Sequence, residues 1–186
     1  QLDFLNSLTK KYLNIIKPET CMFLGIAGGN GLEHIDNNIT KKVIGIDINQ
    51  NYLDATHKRY NDKIYSLKLI NSDISKTEEV FCSADFIWAA LVLEYIGMEK
   101  SLEFSKNNLQ HGGHFIVSIQ SNNGVQSVSQ TGIESIKKAG DIFQMINPDL
   151  LIDKATELGL RLIENEEFIF QNGKSLKTFH FVRDTI

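Results

Sequence analysis

Three closely spaced glycines, Gly28, Gly29 and Gly31, follow an apolar stretch that runs from Met22 to Ile26. Glycines permit positive φ angles and let a bound molecule approach the backbone, while the first N–H groups of a following helix stay free as donors. Asp47 ends a second apolar stretch, VIGID. A carboxylate at the tip of the neighbouring parallel strand can accept hydrogen bonds from the two hydroxyls of a ribose. The pattern predicts a pocket for an adenosine-like ligand at the carboxyl ends of two adjacent strands.

Alternating apolar runs and amphipathic stretches predict the elements that position this pocket. Helix 2–16 places leucines at spacings of three and four and ends before Pro18, and Asn147 with Pro148 opens another helix. A capping box from Ser75 to Glu78 predicts a short helix. The predicted strands span 21–27, 42–47, 64–73, 84–93 and 114–120, and the other helices 32–37, 49–60, 98–109, 133–138 and 148–158.

The end of the chain breaks this alternation. LRLIENEEFIF and SLKTFHFV are two predicted strands joined across an Asn-Gly pair, which is a hairpin signal. Five βα alternations closed by a hairpin predict an α/β fold with a mostly parallel, doubly wound sheet and one antiparallel strand near its edge.

Composition narrows the class of protein. At 186 residues the chain fits a single domain, and its net charge of −4 argues against the basic surface that nucleic-acid-binding proteins usually carry. Cys21 and Cys82 lie far apart without nearby histidines, which disfavours a disulfide framework or a metal site and is consistent with a cytoplasmic protein. The longest apolar run, FIWAALVL, is too short to span a membrane. The composition leaves monomer and homodimer open.

The order of these features resembles the class I S-adenosylmethionine-dependent methyltransferases, over essentially the whole chain. The turn from Ala27 to Gly31 resembles the GxGxG motif of that family. Asp47 in GIDINQNYL and Asp73 in LINSDI resemble the acidic ends of its second and third strands, and ADFIWAALVLEYIG resembles its fourth-strand motif. The resemblance implies a Rossmann-like sheet of seven strands with an antiparallel C-terminal hairpin strand, S-adenosyl-L-methionine as cofactor, and methyl transfer as the activity.

The resemblance also implies which residues bind the cofactor. The glycine turn approaches the methionine part, Asp47 holds the ribose hydroxyls, and Asp73 with Ile74 contacts the adenine, whose exocyclic amine needs an acceptor and whose ring can stack on an apolar side chain. Tyr12 is a further candidate to cover the methionine end. The implied set is Gly25, Ala27, Gly28, Gly29, Asn30, Asp47, Ile48, Asp73, Ile74, Ala90 and Leu91.

Two positions depart from the family pattern and keep alternatives open. The usual acidic residue before the glycines corresponds to Gly25, and the usual first glycine corresponds to Ala27. One alternative is therefore a non-catalytic module that binds S-adenosylmethionine or a nucleotide. The other is an NAD-dependent oxidoreductase, against which the turn lacks the third glycine of GxGxxG.

Methyl transfer requires a particular kind of catalytic residue. Alignment of acceptor, methyl and sulfur can supply roughly 7 to 11 kcal/mol, and an acceptor that must lose a proton also needs a base near the methyl. Glu94 and Tyr95, directly after the fourth strand, are the catalytic candidates, ahead of His114 and Gln120; Glu94 could instead cap the following helix.

The acceptor is expected to be a small molecule. The fourth strand lacks the Asn/Asp-Pro-Pro-aromatic pattern associated with methylation of nucleic-acid bases or glutamine amides, and the chain has no room for a separate recognition domain. We expect one methyltransferase domain over residues 1–186, with a cap helix at 1–17 and an active-site loop and helix at 121–146.

Overall fold

The computed structural model describes residues 1–122, 143–171 and 173–185. Within these ranges seven strands form one sheet in the order β3-β2-β1-β4-β5-β7-β6. Pairing is parallel from β3 across to β5, whereas β7 runs antiparallel to both of its neighbours. The strands are β1 (Thr20–Leu24), β2 (Lys42–Asp47), β3 (Leu67–Asn71), β4 (Ala84–Ala90), β5 (Leu109–Asn122), β6 (Leu160–Ile169) and β7 (Lys174–Arg183).

Helices cover both faces of this sheet. They are α1 (Leu2–Ile16), α2 (Gln50–Tyr60), α3 (Leu93–Ile96), α4 (Met98–Asn108) and α5 (Pro148–Glu157). Leu8 of α1 and Leu53 of α2 belong to one apolar cluster with Phe86 of β4. Leu102 of α4 and Leu151 of α5 belong to a second cluster on the opposite face. The central strands are buried on both faces, which explains why β4 reads as a continuous apolar run.

The strand register determines where the site can form. Leu24 near the end of β1 pairs with Ile46 of β2 and with Ala89 of β4. Since these strands are parallel, their last residues lie at one edge, which we call the carboxyl edge. In open α/β sheets the crevice outside the carboxyl ends is the usual ligand position. The predicted doubly wound sheet and its antiparallel hairpin strand are confirmed.

The structure corrects several predicted boundaries. β1 ends at Leu24 because Gly25 turns the chain with φ 64°, and β4 ends at Ala90 because Leu91 adopts φ 55°. The predicted helix 32–37 is a single 3-10 turn from Leu32 to His34. Most of segment 121–146, including the predicted helix 133–138, lies outside the described residues.

The capping box from Ser75 to Glu78 does not form a helix, so this prediction is wrong. The side chain of Asp73 accepts hydrogen bonds from the backbone N and the hydroxyl of Ser75 at 3.1 and 2.6 Å. Aspartate competes with helix formation by bonding nearby backbone groups in this way. By contrast, Asn147 caps α5 as predicted, since its side chain accepts from the N–H groups of Asp149 and Leu150.

Candidate cofactor site at the carboxyl edge

Asp47, the last residue of β2, holds the turn that follows β1. Its Oδ2 accepts a hydrogen bond from the backbone N–H of Ala27 at 2.8 Å, and its Oδ1 accepts one from the N–H of Asn49 at 2.9 Å. The side chain is largely buried, with the residue 9% exposed. An ionised carboxylate offers about four lone-pair sites, so two acceptor positions remain for hydroxyl groups of a ligand.

The glycines of the turn serve two different purposes. A Cβ atom on Gly31 would lie 2.7 Å from Cβ of Thr9 in α1, and one on Gly29 would lie 2.7 Å from Cε2 of Tyr60 in α2. Both glycines also have positive φ angles, of 76° and 91° for Gly29 and Gly31. These two glycines are therefore required by helix packing. A Cβ on Gly28 would meet nothing within 4 Å, so this residue leaves open space at the carboxyl edge.

The two departures from the family pattern have local explanations. Gly25 has φ 64°, and a Cβ on it would lie 2.7 Å from Cγ2 of Val92, so an acidic side chain here would strain the backbone and require Val92 to move. Ala27 is held in a positive-φ conformation, with φ 47°, because Asp47 binds its N–H and the hydroxyl of Thr56 donates to its carbonyl at 2.7 Å.

Asn30 directs its side chain toward α1. Its Oδ1 accepts from Asn6 Nδ2 at 3.0 Å, and its Nδ2 donates to the carbonyl of Leu2 at 3.0 Å. Any cofactor contact of Asn30 therefore falls to its backbone.

Glu33 is a polar residue at this site that the sequence analysis missed. Its carboxylate accepts hydrogen bonds from Gly31 N at 3.0 Å, Asn6 Nδ2 at 2.6 Å and the Tyr60 hydroxyl at 3.0 Å. Burial opposes ionisation of this carboxyl, but the hydrogen bonds outweigh burial and lower its pKa. Glu33 thus connects α1, the glycine turn and α2, and no local sequence signal identifies such a three-way contact.

The predicted adenine contacts differ in exposure. The carboxylate of Asp73 binds residues of the turn that follows it, and its Oδ2 lies 2.7 Å from Nζ of Lys76. Hydrogen bonds from Lys76 and Ser75 lower the pKa of Asp73. Ile74 is packed in the core at 4% exposure, whereas Ile48, next to Asp47, is 67% exposed. Of the two isoleucines, Ile48 offers its side chain to a ligand. Asn71 Nδ2 donates to the carbonyl of Ile48 at 2.9 Å and fixes this strand end.

Ala90 and Leu91 lie where β4 leaves the sheet. Ala90 pairs with Ser118 of β5, and the N–H of Leu91 donates to the carbonyl of Ser118 at 2.8 Å. Both residues are half-buried, and the positive φ of Leu91 turns the chain into α3.

Glu94 and Tyr95 follow in α3 but face different surroundings. Glu94 is 1% exposed, and its Oε1 accepts from the N–H of Gln120 at 2.7 Å. Its Oε2 is buried without a hydrogen-bond partner among the described residues, and burial raises the pKa of Glu94 to about 7. Tyr95 is 39% exposed, its ring meets that of Phe143 edge to face at 5.6 Å, and burial followed by the charge of Glu94 raises its pKa.

Two of the weaker candidates lie elsewhere. His114 pairs with Phe86 near the start of β4, whereas the end of that strand pairs with Ser118. Four residues of strand separate these positions by roughly 13 Å, so the prediction of His114 as an alternative base is wrong. Tyr12 is fully buried, and its hydroxyl donates to Glu166 and Glu164 of β6 at 3.2 and 3.3 Å, so it does not cover the methionine end.

The described residues include no helix of the length and apolarity that crossing a membrane requires. The sheet order, the glycine turn and the aspartate at the end of β2 together define the class I methyltransferase architecture.

Comparisons with known proteins agree with this class. The model of the methyltransferase domain family matches residues 23–117. The chain therefore belongs to this family, and the predictions of an S-adenosylmethionine-dependent methyltransferase and of S-adenosylmethionine as its cofactor are confirmed. Family membership favours a methyltransferase over the two alternative predictions, an NAD-dependent oxidoreductase and a non-catalytic binding module. No curated protein sequence matches the chain.

Several solved structures share the fold at low sequence identity. N-methyltransferase NodS from Bradyrhizobium japonicum WM9 is 16% identical with a TM-score of 0.74, covering 98% of this chain and 96% of that one. The [4+2]-cyclase SpnF is 9% identical with a TM-score of 0.76, covering 99% and 82%. Phosphoethanolamine N-methyltransferase 2 from Haemonchus contortus, in complex with phosphomonomethylethanolamine and S-adenosylhomocysteine, is 14% identical with a TM-score of 0.71, covering 96% and 53%.

Proposed function

We propose that this methyltransferase transfers the methyl group of S-adenosylmethionine to a small-molecule acceptor bound over the ends of β4 and β5. The observation that carries the cofactor half of the proposal is the Asp47 carboxylate, which holds the Ala27 turn and keeps acceptor positions for ribose hydroxyls. Gly28, in the turn that Asp47 holds, faces open space, and Ile48, the residue after Asp47, has an exposed side chain. Both leave room for the nucleoside.

We propose that the cofactor lies along the carboxyl edge, with its adenine beyond β2 and β3 and its methionine part beyond β1 and β4. Ile48 stacks on the adenine, and Asp73 accepts from its amine once Lys76, which is exposed, moves aside. The methionine part lies along the turn that begins at Gly25 and over Ala90 and Leu91. The remaining members of the proposed site are Ala27, Gly28, Gly29 and Asn30 through their backbones, and Ile74 as the apolar support beneath Asp73.

The acceptor side follows from the position of α3. Tyr95 is partly exposed directly after β4 and is proposed to contact the acceptor. Alignment of the acceptor with the methyl group supplies most of the acceleration, since in-line displacement needs orientation above all. Glu94, the other candidate base, is too deeply buried to reach an acceptor molecule.

Small amines are the acceptors that we would test first, because the NodS and Haemonchus contortus proteins are named as N-methyltransferases and the second is complexed with phosphomonomethylethanolamine. The net charge of −4 argues against a nucleic-acid acceptor. We also propose a cytoplasmic protein acting as one domain over residues 1–186, as a monomer or homodimer, and the free thiols of Cys21 and Cys82 are consistent with a reducing compartment.

Calorimetry on the whole chain tests the proposal. Titration with S-adenosylhomocysteine should give saturable binding, and titration with NAD should give none. Transfer of a labelled methyl group is then measured with three classes of acceptor: small amines such as sarcosine and phosphoethanolamine, a basic peptide, and an oligoribonucleotide. Labelling of the peptide or the oligonucleotide in preference to every small amine would overturn the small-molecule assignment.

A further inference from the structure

The four-residue helix α3 lies where three separate parts of the chain meet. The carboxylate of Glu94 accepts from the N–H of Gln120 near the end of β5 at 2.7 Å. Its backbone carbonyl accepts from the N–H of Gln144 at 2.8 Å, on the segment that leads into α5. Beside it, the ring of Tyr95 meets that of Phe143 edge to face at 5.6 Å. One short helix thus fixes both the exit of the chain from β5 and its return at 143–144.

The side chain of Glu94 is too deeply buried to touch an acceptor molecule. The residue is 1% exposed, and Oε2 has no hydrogen-bond partner in the described part of the chain. Leaving a carboxylate oxygen buried and unpaired is costly, so a purely structural capping role would be served better by an amide or hydroxyl side chain. A carboxylate that binds a backbone N–H makes a charge-assisted bond, which is shorter and stronger than a neutral one.

We propose that Glu94 is a positioning residue, whose carboxylate holds the end of β5 against α3 and thereby sets the place of Tyr95 beside the methyl group. This inference rests on the proposed function, because it takes the region after β4 as the acceptor side. Glu94 acts through the backbone N–H of Gln120 and makes no contact with the substrate.

Protonation of Glu94 should then change the position of Gln120. Among the described residues Tyr95 is the titratable group that interacts with Glu94, and the shift of Glu94 itself comes from burial opposed by backbone hydrogen bonds. Because burial raises the pKa of Glu94 to about 7, the bond to Gln120 N is charge-assisted above neutral pH and weaker below it.

Amide NMR of the whole chain between pH 5.5 and 8.5 tests this inference. In the wild-type protein the amide proton of Gln120 should shift with a midpoint near pH 7, whereas Glu94→Gln, which keeps an acceptor oxygen but cannot ionise, should remove the titration. Glu94→Ala should raise amide hydrogen exchange at Gln120 more than tenfold and leave Gln144 unchanged, because alanine keeps the backbone carbonyl that accepts from Gln144. Glu99→Gln is the matched control, since Glu99 is exposed at the start of α4 and should leave both amides unchanged.

A Gln120 amide that does not titrate in the wild-type protein, or that titrates equally in Glu94→Gln, would overturn the role of Glu94. If Glu94→Ala fails to fold, the titration of the Gln120 amide in the wild type and in Glu94→Gln still tests the role of Glu94. The cofactor proposal fails separately, through an absence of S-adenosylhomocysteine binding by the wild-type chain. A role in positioning also predicts that Glu94→Gln binds S-adenosylhomocysteine within threefold of the wild type at pH 8 while its rate of methyl transfer to the best small amine falls at least tenfold; an equal fall in both would contradict it.

Discussion

The backbone N–H of Ala27 donates a hydrogen bond to Oδ2 of Asp47 over 2.8 Å, so the tip of β2 holds the turn after β1 in place. This bond joins the two halves of the proposed cofactor site. A substitution at Asp47 should therefore affect both the conformation of the turn and the affinity for the cofactor, and the two effects can be separated.

Asp47→Asn should weaken S-adenosylhomocysteine binding by about 1.5 to 3 kcal/mol, because hydrogen bonds to a charged group are lost. Asp85→Asn is the control, since Asp85 also accepts from two backbone N–H groups, those of Glu19 and Thr20 at 2.8 and 2.7 Å, but at the start of β1. Both variants should lose unfolding free energy in urea titrations, and Asp47→Asn alone should lose affinity by calorimetry. An equal loss of affinity in both would remove Asp47 from the site.

Gly28→Ala should weaken cofactor binding without loss of stability, whereas Gly31→Ala should lower the stability of the fold. Gly28 faces open space, so its alanine variant should keep the wild-type unfolding free energy but bind S-adenosylhomocysteine at least threefold more weakly, because the methyl group enters the ligand space. Gly31→Ala should lose about 1 to 3 kcal/mol of stability, since its φ is 91° and Thr9 occupies the space of a Cβ. Unfolding and calorimetry on both variants check this. Full cofactor affinity in Gly28→Ala would mean that the ligand does not approach this residue.

Glu94→Gln should flatten the dependence of stability on pH. Burial raises the pKa of Glu94 from 4.5 to about 7, so the folded state binds the proton more tightly than the unfolded state. The wild-type protein should therefore lose stability as the pH rises from 4.5 to 7 and then stay level, and the variant should be more stable at pH 8 by up to about 3 kcal/mol. Urea unfolding at pH 5, 6, 7 and 8 measures the difference, and parallel curves for the two proteins would contradict it.

The histidine pair between β5 and β7 should give a pH dependence of the opposite sign. Nδ1 of His114 lies 2.8 Å from Nε2 of His180, and burial lowers the pKa of both rings, with the charge of His114 lowering that of His180 further. Stability from the neutral pair is complete above the unfolded pKa of about 6.5 and is lost as the pH falls toward the lowered folded values. His180→Gln should lessen this acid-induced loss in thermal unfolding, whereas the exposed His57→Gln should not.

Local sequence patterns were sufficient to predict much of the fold. Helix 2–16 was predicted with its observed ends, because its apolar spacing and Pro18 are local features. The C-terminal hairpin was predicted from alternation and an Asn-Gly turn, and both strands form. The capping box at Ser75 failed since the carboxylate of the neighbouring Asp73 accepts from the backbone N–H and the hydroxyl of Ser75, the two groups that the box would use.

The site was predicted less completely, since its geometry depends on partners that are distant in sequence. Asp47 was placed at the carboxyl edge from its strand, but nothing local shows that its carboxylate binds Ala27 N. The need for glycine at positions 29 and 31 comes from Tyr60 and Thr9, residues of two separate helices. His114 was misplaced although the predicted strand 114–120 begins with it, because the first residue of a parallel strand lies at the edge opposite the carboxyl edge, as its pairing with Phe86 near the start of β4 shows.

Gly25 and Val92 share one volume just beyond the ends of β1 and β4, so the two positions are sterically coupled. An acidic residue introduced at position 25 alone meets Cγ2 of Val92 in a backbone conformation that favours glycine, while trimming Val92 alone leaves a void. Neither single exchange places a carboxylate there without a loss of folding stability. Exchanging both residues removes the contact with Val92 but keeps the strain of a non-glycine residue at φ 64°, so the acidic residue usual in the family destabilises this position in either case.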